Sequence, residues 1–181
     1  GKIGYGEEVN GVRIDGNKLL AVQTTKGEIY GSQFVFTPAF PIIANIFKNS
    51  ADVDWLKSLR RVNYLGNMCL VLRLKHSLSD TYWLNVNDPG FPFVGVIEHT
   101  NFDTPDNYKG THIVFLSRYL AVEDPVWSYT DEKYVDFALA HLQRMFPAME
   151  KSWLIEHKIW RAEYAQQVTE RDYSQYVPGE D

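Results

Sequence analysis

The sequence predicts an α+β fold, with a mixed, largely antiparallel sheet, helices packed on it, and an N-terminal β-meander in front. Three observations predict it. The first residues alternate between short apolar runs and the turn pairs Asp15-Gly16 and Lys26-Gly27. Four further strand-like runs follow one another between residues 67 and 120, separated by turn residues. One amphipathic stretch at 131–146 carries an apolar stripe at helical spacing. Strands, helices, strands, helix and strand in that order do not alternate as a doubly wound α/β chain does.

Taken in order, "VNGVRI", "KLLAVQTT" and "EIYGSQFVFT" are three expected strands, the third ended by Pro38. In "PIIANIFKNSADVDWLKSLRRV", Ile42, Ile43, Ile46 and Phe47 recur at helical spacing, as do Trp55, Leu56 and Leu59. The break near Asn49-Ser50 divides two short helices, with Ser50 as the expected cap of the second. The runs 67–75, 81–87, 93–99 and 111–120 are expected to share one sheet, the first as a strong buried strand. Helix 131–146 should present Tyr134, Phe137, Ala138, Leu142 and Met145 to that sheet. Thr130 is its expected N-cap, Asp131 and Glu132 suit the positive end of its dipole, and Pro147 stops it. "WLIEHKIWRAEYAQQV" alternates as a last strand.

A chain of 181 residues suits one domain with a small appendage. At 45% hydrophobic and 23% charged it has the composition of a packed globular protein. Net charge is −5 and the basic residues are scattered, so there is no electrostatic footprint for nucleic acid. No apolar run approaches the roughly 20 residues of a membrane helix. Cys69 is the single cysteine, which fits a reducing, cytoplasmic compartment and a buried, inert thiol. The chain opens without Met in what reads as a loop and stops at "YVPGED", so a fragment of a longer protein is expected.

The densest chemistry lies in "YWLNVNDPGFPFVGVIEHTNF", residues 82–102. The five histidines, His76, His99, His112, His141 and His157, include no pair at metal-ligand spacing, and no CxxC exists, so no metal site is expected. There is no GxSxG nucleophile elbow and no GxGxxG or Walker loop. On a strand, Glu98 shares a face with Val94 and Val96, while His99 falls with Gly95 and Ile97, so the two should diverge. Two readings stay open. Either this is a polar strand end, or Tyr82, Trp83, Phe93, Glu98, His99 and Asn101 line a substrate cleft that Gly95 leaves open.

The opening hairpin, with Val9, Val22, Thr24, Gly27, Val35, Thr37 and Pro38, resembles the returning segment of the flavin-dependent amine oxidase superfamily, which includes protoporphyrinogen oxidases and phytoene desaturases. Tyr82–Asn85, Pro92–Phe102, Tyr108–Leu120 and Phe146-Pro147 are similar to the substrate domain of bacterial NAD(P)/FAD-dependent oxidoreductases labelled amine oxidase-like. The glycine-rich N-terminal unit and the C-terminal flavin-closing segment of that family are not in this sequence, and Gln167 stands where relatives commonly have proline.

The resemblance implies a β-meander of an FAD-binding domain over residues 1–38 and a substrate-binding domain over 39–181. It implies FAD in the full-length protein, with the Val9 backbone near the cofactor, and none bound by this fragment alone. The expected partners are a small-molecule substrate and the rest of the FAD-binding domain. Because the flavin carries the redox chemistry, catalytic side chains are not required in this segment and none is assigned. The rivals are a self-contained α+β ligand-binding module without redox role and part of a flavin-dependent mutase or isomerase.

Overall fold

The computed structural model describes residues 1–175 and 177. It is an α+β fold with two antiparallel sheets, one of three strands and one of five. The chain forms two compact units, Gly1–Asn63 with Gln167–Asp181, and Tyr64–Gln166.

The first unit begins with the expected meander: β1 (Val9–Asp15), β2 (Lys18–Thr24) and β3 (Gly27–Tyr30), paired in sequence order. Asp15 pairs with Lys18 across the two-residue turn, in which Gly16 has φ 55°, a value natural to glycine. β3 is shorter than the sequence suggested. It stops at Tyr30, and residues 31–39 are not strand. Phe34 and Phe36 are partly buried and Val35 is exposed, so the strand-like alternation of "FVFT" is real, but no neighbouring strand pairs with it. Side-chain alternation reports which side faces the core; it does not supply a hydrogen-bonding partner.

Helices α1 (Phe40–Ile46) and α2 (Val53–Arg61) follow. The cap of α2 is Asp52, not Ser50: its carboxylate accepts from the backbone N–H groups of Asp54 and Trp55. These bonds hold the Asp52 carboxyl below its usual range. A carboxylate caps as well as a hydroxyl and also suits the helix dipole. Ile43, Ala44, Leu56 and Leu59 bury the contact between the two helices, and Ile46 packs with Val12 and Val22 of the meander.

The second unit is built on β4 (Tyr64–Leu74), β5 (Trp83–Asn85), β6 (Gly95–Glu98), β7 (His112–Leu120) and β8 (Leu154–Gln167), in the spatial order β5-β6-β7-β4-β8. The four expected runs therefore lie in one sheet. Helix α3 (Asp131–Met145) covers one side of it, with Thr130 accepting from the Lys133 N–H as its cap. Tyr134, Val135, Ala138, Leu139 and Leu142 are buried against Met68, Leu70, Leu72, Leu74, Val114 and Leu116. Phe137 and Met145 are only partly buried, so the stripe is rotated slightly toward Val135 and Leu139.

β4 is not buried on both sides. Its even residues from Met68 to Leu74 are fully buried, while Asn67, Cys69, Val71 and Arg73 are half-buried. Cys69 thus lies on the side away from α3 and outside the core, a correction to its expected burial. Its half-buried setting pushes the thiol pKa up, which keeps it protonated and a poor nucleophile.

Gly66, on the interior strand β4 between β7 and β8, allows a close approach. A Cβ there would stand 2.7 Å from Cζ3 of Trp127 and 3.3 Å from the Ala162 carbonyl oxygen. Trp127 belongs to a 3-10 turn whose start is tied by Asp124, which accepts from the Val126 N–H. Gly66→Ala is expected to lower stability by about 2 kcal/mol, the typical cost of overpacking. Urea unfolding checks this, and an unchanged midpoint would show that the indole simply moves away.

Candidate functional site

Glu98 and His99 diverge. Glu98 ends β6 on the helix-covered side of the sheet, opposite Val114, and is 2% exposed. Its carboxylate accepts from the Ser77 hydroxyl (2.5 Å), the Leu78 N–H (3.1 Å) and the Ser79 N–H (3.0 Å). His112 Nδ1 stands 3.8 Å away. Asn101 works on the same loop, donating through Nδ2 to the carbonyls of Ser79 and Thr81. Thr100, also buried, accepts from the Ile113 N–H. Three of the four polar residues in "EHTN" therefore fasten the β4–β5 loop and the strand end.

The expected site residues do not form one wall. Phe93 is 2% exposed and sits in the core with α3, and Glu98 is consumed by the loop. Asn101 is engaged at the loop as well. Tyr82 and Trp83 are exposed at the sheet edge, where Tyr82 stacks on Phe102 with ring centroids 5.1 Å apart. Val9 opens β1, paired with Thr24 and partly buried beside Val12 and Val22.

What the fold does assemble is the side of the sheet that α3 leaves uncovered. Residues paired across antiparallel strands share a face. The register therefore sets Trp83, Ile97, Phe115 and Val71 in one row. Asn85, Gly95, Ser117 and Cys69 form the next row. Asn67 and Tyr119 extend one end, Arg73 and Ile113 the other. The polar groups are ordered: Asn67 Nδ2 donates to Ser117 Oγ at 2.9 Å, and Trp83 Nε1–H donates to Asn85 Oδ1 at 2.8 Å. At Gly95 a Cβ would meet only the Leu84 carbonyl oxygen, at 3.7 Å, so glycine leaves room on this face that the fold itself does not require.

His99 stands at the margin of the same face. Its ring is perpendicular to that of Phe115, with centroids 6.0 Å apart. Its Nε2 lies 2.8 Å from the Tyr108 hydroxyl, which in turn donates to Asp103 Oδ2 at 3.1 Å. The Asp103 carboxyl is held below its usual range by the Asn107 amide first, then by the Tyr108 hydroxyl and the Thr104 N–H. Partial desolvation and the neighbouring Asp103 push the Tyr108 hydroxyl up.

Two hollows adjoin these elements. One of about 270 Å³ lies on the open face, between Val71, Arg73 and Ile113 and the β8 residues Glu156, His157 and Lys158. The other, about 350 Å³, is lined by Pro89–Pro92, Arg118, Tyr119, Phe137 and His141. Its cation is already engaged, since Arg118 pairs with Asp124 at 3.3 Å. Among the described residues, no group of three or more His, Cys, Asp or Glu could hold a metal ion, and no helix is long and apolar enough to cross a membrane.

Sequence reasoning missed Phe115, Ser117, Val71 and Asn67 as site residues. The signal was present. Asn67 and Arg73 recur at odd positions of "NMCLVLRL", which marks a strand with one polar-tolerant side.

The same fold occurs in larger proteins of known structure. An oxidoreductase from Methanosarcina mazei matches with a TM-score of 0.69 at 16% identity, over 88% of this chain and 38% of its own. A protoporphyrinogen oxidase-like protein from Exiguobacterium sp. 255-15 matches with a TM-score of 0.64 at 13% identity, over 94% of this chain and 38% of its own. A UDP-galactopyranose mutase, in its reduced form, matches with a TM-score of 0.63 at 12% identity, over 87% of this chain and 35% of its own. The likeness shows the fold. This chain spans less than two-fifths of the length of each of these structures. No protein-family model and no curated protein sequence matches it.

Proposed function

We propose that this chain is the substrate-binding region of an FAD-dependent oxidoreductase of the amine oxidase-like kind, with residues 1–38 returning the chain to its FAD-binding domain and residues 39–181 serving the substrate. The observation that carries the reading is the open face of the five-stranded sheet. It sets an apolar row, Trp83, Ile97, Phe115 and Val71, beside a row bearing amide and hydroxyl groups, with a gap at Gly95. An apolar wall with a few fixed polar groups is what a small-molecule site needs. The fold in which it sits is shared with the oxidoreductase and the protoporphyrinogen oxidase-like protein.

The residues of this chain do not make an FAD site by themselves. The sequence has no glycine-rich strand-to-helix turn to seat a pyrophosphate. FAD would be held by the remainder of the protein and would supply electron transfer. The chain's own part is to receive and orient substrate and to handle protons. Trp83 and His99 of the originally expected set line or border the open face; Glu98, Asn101 and Phe93 support it. The match to the mutase favours one second reading, a flavin enzyme without net redox change acting on the same face.

The test uses the full-length natural protein. Its purified form is expected to carry flavin, seen in the visible spectrum, and anaerobic reduction by candidate substrates separates oxidoreductase from mutase. Gly95→Val fills the gap and is expected to raise KM about 10-fold with flavin content unchanged. A full-length protein without flavin refutes the proposal, and an unchanged KM removes the open face from it.

A further inference from the structure

The His99–Tyr108–Asp103 chain has a definite proton order. Asp103 also accepts from the Asn107 amide and the Thr104 N–H, both at 2.8 Å, the surroundings of an ionised carboxylate. An ionised carboxylate only accepts, and a phenol has a single proton to give. Tyr108 therefore donates to Asp103 Oδ2, 3.1 Å away. The lone pairs of Tyr108 Oη are left for His99, 2.8 Å away, so the imidazole must donate from Nε2. The opposite order would set a phenol lone pair against a carboxylate oxygen. In the neutral ring Nδ1 is then the bare nitrogen. Nδ1 makes no hydrogen bond to a described residue and is not among the buried, unpaired atoms, so it is accessible.

We propose that His99 is the proton-exchanging group of the open face, held by Tyr108 and Asp103 so that Nε2 keeps its proton and Nδ1 is the atom that takes or returns one. The inference rests on the reading of that face as the substrate surface. In the step itself an O–H or N–H bond of the substrate breaks, its electron pair stays on the substrate heteroatom, and an Nδ1–H bond forms. The imidazolium so produced still donates from Nε2 to Tyr108, which still donates to the Asp103 carboxylate, and the proton returns by the reverse path. Glu98, the adjacent carboxylate, lies on the other side of the sheet and is engaged by Ser77, Leu78 and Ser79. Phe115, the other ring against His99, offers no acceptor that competes for its protons.

Two measurements on the full-length protein decide this. The first is the histidine tautomer, read from nitrogen chemical shifts of the ¹⁵N-labelled protein, with His99 assigned by its loss in His99→Gln. Protonated Nε2 and bare Nδ1 are expected for the neutral ring, and Tyr108→Phe should give a mixture of tautomers. A ring protonated at Nδ1, or a tautomer unaffected by Tyr108→Phe, overturns the relay whatever the function proves to be. The second is turnover. His99→Gln keeps an amide N–H toward Tyr108 but has no basic nitrogen, and kcat should fall about 100-fold with a smaller change in KM. Turnover at the wild-type rate overturns the proton role. A protein that holds no flavin refutes the proposed function instead and leaves the relay to be judged by its tautomer.

Discussion

Replacing Glu98 by alanine is expected to destabilise the five-stranded unit by about 3 kcal/mol, the range for breaking a buried hydrogen-bond network. The side chain is 2% exposed and accepts from the Ser77 hydroxyl and the Leu78 and Ser79 N–H groups. In the variant those donors face a void, and each buried donor without an acceptor costs about 1–3 kcal/mol. For a chain of this size the loss corresponds to a fall of about 6–12 °C in Tm. Glu98→Gln keeps the volume and one acceptor oxygen and should lose less. The same loop precedes β5, so Glu98→Ala should also loosen Trp83 at the edge of the open face. Thermal unfolding followed by near-UV circular dichroism reads both effects. An unchanged Tm would show that the loop does not depend on the carboxylate.

Stability is expected to fall steeply between about pH 10 and pH 12, and Tyr134 is the group responsible. It is 0% exposed, in the first turn of α3, and its hydroxyl has no hydrogen-bond partner among the described residues. Burial pushes its pKa from 10.0 up to about 12. The folded state therefore keeps the phenol proton at pH values where the unfolded chain has lost it. Wherever the unfolded state binds fewer protons, stability declines as pH rises. The contribution is complete below the unfolded value and is lost as pH climbs through the folded one. The difference between the folded and unfolded values corresponds to about 2–3 kcal/mol in full. Tyr134→Phe removes an unpaired buried hydroxyl, so at neutral pH stability should stay level or rise by about 1 kcal/mol. Its alkaline decline should be shallower by about 2–3 kcal/mol. Tyr30, Tyr108 and Tyr164 are also shifted upward, so the comparison between wild type and variant isolates Tyr134. Parallel denaturation curves at pH 7 and pH 11 read about half of that difference, about 1.4 kcal/mol, because pH 11 lies midway between the two values, and identical pH dependence in the two proteins would contradict the assignment.

The site was partly legible before the fold was known. The divergence of Glu98 and His99 followed from strand parity alone, because successive side chains alternate whatever the sheet around them. The fate of each did not. Glu98 became a loop anchor because Ser77, Leu78 and Ser79, some twenty positions earlier, present their donors to it. His99 became oriented because a 3-10 turn at Pro105–Tyr108 brings a phenol against it. Contacts of that span leave no periodic trace in the sequence. The same limit explains β3. Alternation in "FVFT" reported burial faithfully, yet a strand also needs a neighbour, and none reaches residues 31–39.

By itself the sequence determined the elements whose causes are local: the Gly16 turn, the Thr130 cap, the amphipathic period of α3, and the apolar runs that became β4 and β7. Only the tertiary structure decided which side of the sheet is open. α3 covers the even residues of β4, and the strand register then carries Trp83, Ile97, Phe115 and Val71 into one row on the other side. The reason is physical. A strand pattern states that two sides differ, but which one is covered depends on where a helix more than fifty residues later finds the larger apolar area to bury.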